Sequence, residues 1–354
     1  MMFVPDSIWH RLVWKAGKPF PRAIRDSIFG SAMTLIDQRF QTKFIRKCIK
    51  DGQANIIHQP IPVSPLAPSW IYGFDVPVVM GPMNGGMNFP DGYEEFESLA
   101  TGKLVVAARF LAQVINRVIQ GKKQASTLLV ANERTRRALP FPDHPHIIQL
   151  VENGVDVNLW QPVQKSKRSA GDVFRLVYLG RMVDWKALDF TLAAVDIARR
   201  RAVPVVLDLV GDGAERGRLE AMTDDLGLRD HVRFLGFRSH EECSQILKQA
   251  DALILNSVWE CGGAVVLEAM SAGLPVIGPD WGGPADYINE ECGVLVHPEP
   301  KATYASRICD AIADLAANPS KCTEMGLRGR SRVIEEFDWE KKIDRILDVY
   351  ASSL

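Results

Sequence analysis

No Cys-x-x-Cys pair occurs among the six cysteines, Cys48, Cys243, Cys261, Cys292, Cys309 and Cys322, which lie far apart along the 354 residues. That distribution argues against a disulfide framework and suits free thiols in a reducing compartment. No stretch approaches the ~20 apolar residues of a membrane span, and Met1 to Arg22 carries proline, tryptophan and charge where a secretory signal carries an apolar run. Neither sign of charge prevails: 42 basic side chains stand against 43 acidic ones, a net charge of −1. Without a basic excess, and with no finger, recognition-helix or aromatic-basic signature, nucleic acid is not an expected partner. The absences together predict a cytoplasmic chain.

What is present is length enough for two cores, so two α/β domains are the first expectation. Charge is also uneven. Residues 1 to 50 hold ten Lys or Arg against Asp6, Asp26 and Asp37, a local excess of +7, together with Trp9 and Trp14. Such a segment either rests on an anionic membrane surface, peripherally, or is a solvated helix face with a few core anchors.

Phe29, Met33, Ile36, Phe40 and Phe44 recur at helical spacing, predicting a helix from about 27 to 50 whose stripe is core. Short β-rich runs follow at 55–58, 76–80, 127–131 and 146–150, with a helical stretch near 109–120. A polar stretch with Lys165, Lys167, Arg168 and Gly171 breaks the pattern and predicts a linker over 164–173. After it strands and helices alternate: strands at 174–180, 205–210, 231–235, 252–255 and 275–278, with helices from about 186, 214, 239 and 264. Such alternation makes a parallel sheet through right-handed crossovers, and ligands of these sheets bind at the carboxyl ends of the strands.

Three strand ends carry chemistry. The first is Gly180-Arg181-Met182-Val183-Asp184-Trp185-Lys186, two cations placed where a diphosphate needs them: Arg offers planar multi-donor hydrogen bonds, Lys a mobile point charge. The second, Gly211-Asp212-Gly213, has glycines where a strand turns into a helix, allowing backbone to approach a ligand. It also resembles part of a dinucleotide fingerprint. An NAD(P) site, however, would place that pattern in the first strand-helix unit and close the next strand on an acidic residue, whereas the next strand ends Phe234-Leu235-Gly236. The third is Glu260-Cys261-Gly262-Gly263-Ala264-Val265, with Glu268 about one turn into the following helix. Two carboxylates there can accept from sugar and ribose hydroxyls while free amides face phosphate. The plainer alternatives are surface cations, a solvated loop acid and an intrahelical glutamate.

With Gly282-Gly283-Pro284-Ala285-Asp286-Tyr287 and Asn153-Gly154-Val155-Asp156-Val157 added, these segments resemble, in order, glycosyltransferase family 4, retaining enzymes of the GT-B fold. The resemblance runs from about Ile147 to the end. It implies two Rossmann-like domains facing a cleft: an acceptor-side domain over 1–163, a nucleotide-sugar-binding domain over 174–338 and a C-terminal helix over 339–354. It further implies that Arg181, Lys186 and Glu260 serve catalysis, that Gly180, Gly211, Gly213, Gly262, Gly263, Ala264 and Val265 line the donor, and that Glu268 binds ribose. The activity implied is hexosyl transfer from a nucleoside-diphosphate sugar to a glycan or lipid-linked acceptor, as in cell-surface polysaccharide synthesis. No cofactor and no metal are implied; the chain has no Asp-x-Asp to hold a divalent ion against the diphosphate.

The N-terminal half departs from the family. It opens with Phe3-Val4-Pro5-Asp6-Ser7-Ile8-Trp9 in place of a strand, glycine loop and helix, so that first unit is expected to be missing, and a nucleotide-binding protein impaired in catalysis is the competing expectation. On the acceptor side the candidates are Asn84, Gly85 and Gly86, after the strand at 76–80, and His58, which ends the strand at 55–58. Each has a structural alternative: a plain glycine turn, and a packed, hydrogen-bonded histidine.

Overall fold

The computed structural model describes residues 7–19, 29–61, 63–93, 96, 99–162 and 168–354. Phe3 to Asp6, where the first unit is expected to be missing, lie outside them, as do the start of the 27–50 helix and most of the linker's first half. The chain divides into two units, one of residues 1–86, 99–152 and 346–354, the other of residues 87–98 and 153–345.

In the first unit, β1 (Ile57–Gln59), β2 (Val78–Met83), β3 (Thr127–Val130) and β4 (Ile147–Gln149) form a parallel sheet in that order. The two-residue period sorts its side chains. Val78, Met80, Leu128 and Val130 join Ile71 and Leu139 in one core, while Val79 and Leu129 join Leu150 and Val349 in another. Val349 belongs to the helix Trp339–Ser353, whose last turns cover that second face. The helix over 30–50 forms, but its expected core stripe is only half-buried and Phe44 is exposed. It buries Gln38, whose side-chain oxygen accepts from the Trp70 amide at 2.8 Å.

The second unit contains β5 (Phe174–Leu179), β6 (Val205–Val210), β7 (Val232–Gly236), β8 (Ala252–Ile254), β9 (Val276–Pro279) and β10 (Gly293–Val296). All pairings are parallel, in the order β10-β9-β8-β5-β6-β7. β5 and β8 read as nearly continuous apolar runs because helices cover both faces of the sheet. The helix Leu188–Arg200 shows the matching period: Leu188, Thr191, Leu192, Val195 and Ala198 are buried while Arg199 and Arg200 end it in solvent. Strand β10 was not among the runs the sequence marked. The unit begins at Asn153, ahead of the predicted linker, because Val155 pairs with Asp338: its amide donates to the Phe337 carbonyl at 3.0 Å and its carbonyl accepts from Trp339 at 3.2 Å.

Candidate functional site

Numbered within its own unit, the second sheet runs 6-5-4-1-2-3, the doubly wound order in which the connections reverse direction between the first and fourth strands. The crevice outside that reversal is where such sheets bind ligands. Here the two strands are β5 and β8, so the segments that leave their carboxyl ends are residues 180–186 and 255–263. The backbone ties them, the Val258 amide donating to the Trp185 carbonyl at 2.9 Å. Lys186, at the end of a short 3-10 turn, forms an ion pair with Glu260, and both side chains are largely screened from water. Arg181 is exposed one turn earlier, its carbonyl held by the Tyr178 hydroxyl at 2.8 Å. Burial, reinforced by the nearby Glu260 charge, pushes the Tyr178 phenol far up, so it stays a donor.

The glycines at these tips admit close backbone packing. A Cβ on Gly211 would stand 1.9 Å from the Gly180 carbonyl oxygen, and one on Gly213 would stand 2.1 Å from the Met182 carbonyl oxygen. They let in the neighbouring strand's loop. The loops are stitched by the Met182 amide to the Asp212 carbonyl at 2.9 Å and the Glu215 amide to the Met182 carbonyl at 3.0 Å. Gly211 and Gly213 thus hold the loop that carries Arg181 against the next one, while a Cβ on Gly180 would stand 2.9 Å from the Tyr178 hydroxyl.

The third segment is fixed in a similar way from the far side. Gly283 donates to the Glu260 carbonyl at 2.7 Å, and a Cβ there would meet the Gly262 and Cys261 carbonyls at 2.2 and 2.3 Å. Gly263, at φ +99°, then opens the helix Ala264–Ser271. Glycine supplies no side-chain cap, so the first amides, those of Ala264 and Val265 among them, are available to an anion. Glu268 lies one turn in, and burial raises its carboxyl above the ordinary range, partly offset by His240. The structure thus brings Lys186 and Glu260 together and sets Arg181 and the uncapped amides of this helix on the segments that frame one crevice.

The candidates in the first unit are engaged within it. Asn84 is buried, and its amide donates to a Glu152 carboxylate oxygen at 2.8 Å. The Gly85 amide donates to Thr135 Oγ1 at 3.1 Å, and the Cβ position of Gly86, at φ +74°, is filled by Ala138 and the Arg134 carbonyl. His58 is the packed, hydrogen-bonded alternative: Nε2 lies 2.6 Å from the Gly81 carbonyl oxygen and Nδ1 2.5 Å from the Tyr350 hydroxyl. A carbonyl only accepts, so Nε2 carries the proton and Nδ1 accepts from Tyr350. Tyr350→Phe, which strands that nitrogen, is expected to lower stability by about 1–2 kcal/mol, read from the denaturant midpoint; an unchanged midpoint would show that the bond contributes nothing.

Sequence reasoning missed the segment from Met87 to Phe96, which belongs to the second unit. Met87 occupies the space beside Gly282, Phe89 packs on Trp259 with ring centres 4.5 Å apart, and the Trp281 indole donates to the Asn88 carbonyl at 3.1 Å. Tyr93 is wholly buried, its hydroxyl on the Pro298 carbonyl at 3.0 Å. These residues back the Trp259-Glu260 turn. The signal that could have found them is the aromatic spacing of Phe89, Tyr93 and Phe96 directly after a glycine turn.

Residues 162–332 match the family model described as Glycosyl transferases group 1. The glycogen synthase of Mycobacterium tuberculosis is 28% identical over 207 residues, 58% of this chain and 49% of that protein. The chain spans about half the length of the curated relatives it matches. Among solved structures, sucrose-phosphate synthase from Thermosynechococcus elongatus superposes with a TM-score of 0.61 at 22% identity, covering 87% of this chain and 76% of that one. Anabaena HepE in complex with UDP-glucose gives 0.58 at 20% identity, covering 78% and 72%. At these identities the likeness is one of fold, and that fold is GT-B, with two parallel α/β sheets of the Rossmann type.

Proposed function

We propose that the chain is a retaining glycosyltransferase that moves a hexosyl group from a nucleoside-diphosphate sugar to a glycan or lipid-linked acceptor, as in cell-surface polysaccharide synthesis. The observation that supports this most is the Lys186–Glu260 pair at the strand-order reversal, beside the uncapped helix that carries Glu268. In this reading the diphosphate lies against Arg181, Lys186 and the amides of Ala264 and Val265. Glu260 holds Lys186 in place and accepts from the transferred sugar, while Glu268 accepts from the ribose hydroxyls.

The acceptor oxygen bonds to the anomeric carbon on the face from which the diphosphate leaves, the sugar–phosphate bond breaks, and the departing phosphate oxygen takes the acceptor proton. No carboxylate nucleophile enters. The protein's contribution is charge stabilisation and positioning, supplied by Arg181 and Lys186 without a divalent ion. Calorimetric titration with UDP, GDP and ADP, wild type beside Lys186→Ala, tests the donor site. One nucleotide bound tightly, and less tightly by the variant, is expected; no binding by any of the three counts against the proposal.

Glu268 makes nucleotide binding depend on pH. Its raised pKa means that the free fold disfavours the ionised form, and stability falls as pH rises through that value. Ribose hydroxyls donating to the carboxylate favour ionisation, so affinity is expected to weaken as pH drops, starting above the ordinary glutamate range. The Glu268→Gln variant should bind more weakly at neutral pH and lose that part of the dependence. A wild-type to variant affinity ratio that stays constant from about pH 5 to 8 would contradict the assignment.

A further inference from the structure

The Lys186–Glu260 pair joins two segments that leave different strands, so its geometry depends on what holds their roots. One root is the helix Leu188–Arg200, which begins just after Lys186; the other is the stretch that follows β8. Between them Asn256 Nδ2 donates to Thr191 Oγ1 at 3.0 Å, and the two residues are 0 and 1% exposed. Their surroundings are apolar: Leu188, Leu192, Val195 and Ala198 on the buried face of the helix, Leu253, Ile254 and Leu255 ahead of Asn256. Two apolar side chains would fill such a place without a polar cost, but they could slide. An amide on a hydroxyl fixes both distance and direction. Tyr304 adds a second hold, its hydroxyl donating to the Asn256 carbonyl at 3.4 Å and its ring lying 5.4 Å from that of Phe190, the residue before Thr191. The result is a closed circuit: residues 186–191, the Thr191–Asn256 bond, residues 256–260 and the Lys186–Glu260 pair, with the Val258–Trp185 bond across it.

We propose that Thr191 and Asn256 are positioning residues for the transfer step, setting through this circuit where the Lys186 ammonium stands against the donor diphosphate. The part Lys186 plays in that step rests on the glycosyltransferase reading; the circuit does not. Without the bond at the roots the stretch 255–260 shifts on 180–186, and the ammonium is misplaced before the fold is lost, because β5, β6 and β7 keep their own ladder. A misplacement of about 1 Å in such a group costs up to about 10²-fold in rate.

Thr191→Val keeps the shape and removes the hydroxyl, whereas Thr191→Ser keeps the hydroxyl. Hydrogen exchange resolved at single amides of the full chain reads the circuit without substrate. The Val258 amide is bonded to Trp185, and the Leu207 amide to His231 at 2.7 Å in the β6–β7 ladder. In Thr191→Val the exchange of Val258 is expected to accelerate about tenfold more than that of Leu207, and in Thr191→Ser the difference should vanish. Steady-state kinetics with the nucleotide sugar chosen by calorimetry reads the role. In Thr191→Val kcat is expected to fall about tenfold with a smaller change in donor KM, to recover in Thr191→Ser, and to fall no further when Thr191→Val is added to Lys186→Ala. Equal acceleration of the two amides, a serine variant that behaves as the valine one, or a kcat loss that persists in the Lys186→Ala background overturns the proposal. A wild type that turns over no nucleotide sugar sinks the transferase reading instead, and the exchange rates still decide whether Thr191 and Asn256 set the pair.

Discussion

Replacing Lys186 with alanine is expected to lower turnover by about 10²–10³-fold, with a smaller loss in donor affinity. The leaving diphosphate carries two negative charges, and a unit cation about 4 Å from one of them contributes roughly 4 kcal/mol at the effective dielectric of a partly screened site. Lys186 is partly screened, and Glu260 holds it where the strand order reverses, so its charge is positioned before the donor arrives. The loss should fall mainly on kcat, because negative charge on the leaving oxygen grows as the bond breaks. Steady-state kinetics with the nucleotide sugar chosen by calorimetry decides the matter. A variant that kept most of its turnover would remove Lys186 from the mechanism.

A second large effect is expected from one methyl group. Gly211→Ala puts a Cβ 1.9 Å from the Gly180 carbonyl oxygen at a backbone φ of +126°, so one of the two loops must move. The cost should be about 3 kcal/mol or more, and the melting temperature should fall together with nucleotide affinity, because the displaced loop carries Arg181. Gly217→Ala is the control. That glycine lies in the helix Arg216–Asp225 with nothing within 4 Å of its Cβ position, and alanine there should be neutral or stabilise by up to about 1 kcal/mol. If the two variants melt alike, the glycines at the strand tips are not packing devices.

The second sheet was legible because its signals are local. β5, β6 and β8 are short apolar runs that end in glycine or polar turns, and a parallel sheet buried on both faces demands such runs. Lys186 and Glu260 were legible for a related reason: each follows a strand, and parallel strands present their carboxyl ends on one edge. Other features depend on tertiary partners. The stripe from Phe29 to Phe44 has helical spacing, yet spacing cannot tell how much of a helix its neighbours cover, and Phe44 remains exposed. Nothing local marks Gly211 as making room for a loop 31 residues away. His58 owes its packing to Tyr350, separated from it by 292 positions. The return of residues 87–98 to the second unit depends on Trp259, Trp281 and Pro298, all distant in sequence.

That return bears on how such chains can be recombined. The backbone passes between the two units four times, after Gly86, Ser98, Glu152 and Arg345. A chimaera made by grafting a foreign half at the single junction near 152 would inherit the second unit without Met87, Phe89 and Tyr93, and would keep a C-terminal helix whose last turns were shaped for a sheet no longer present. Exchange of the two units in this chain is therefore a four-cut operation, with the twelve residues 87–98 travelling with the second unit and the nine residues 346–354 with the first.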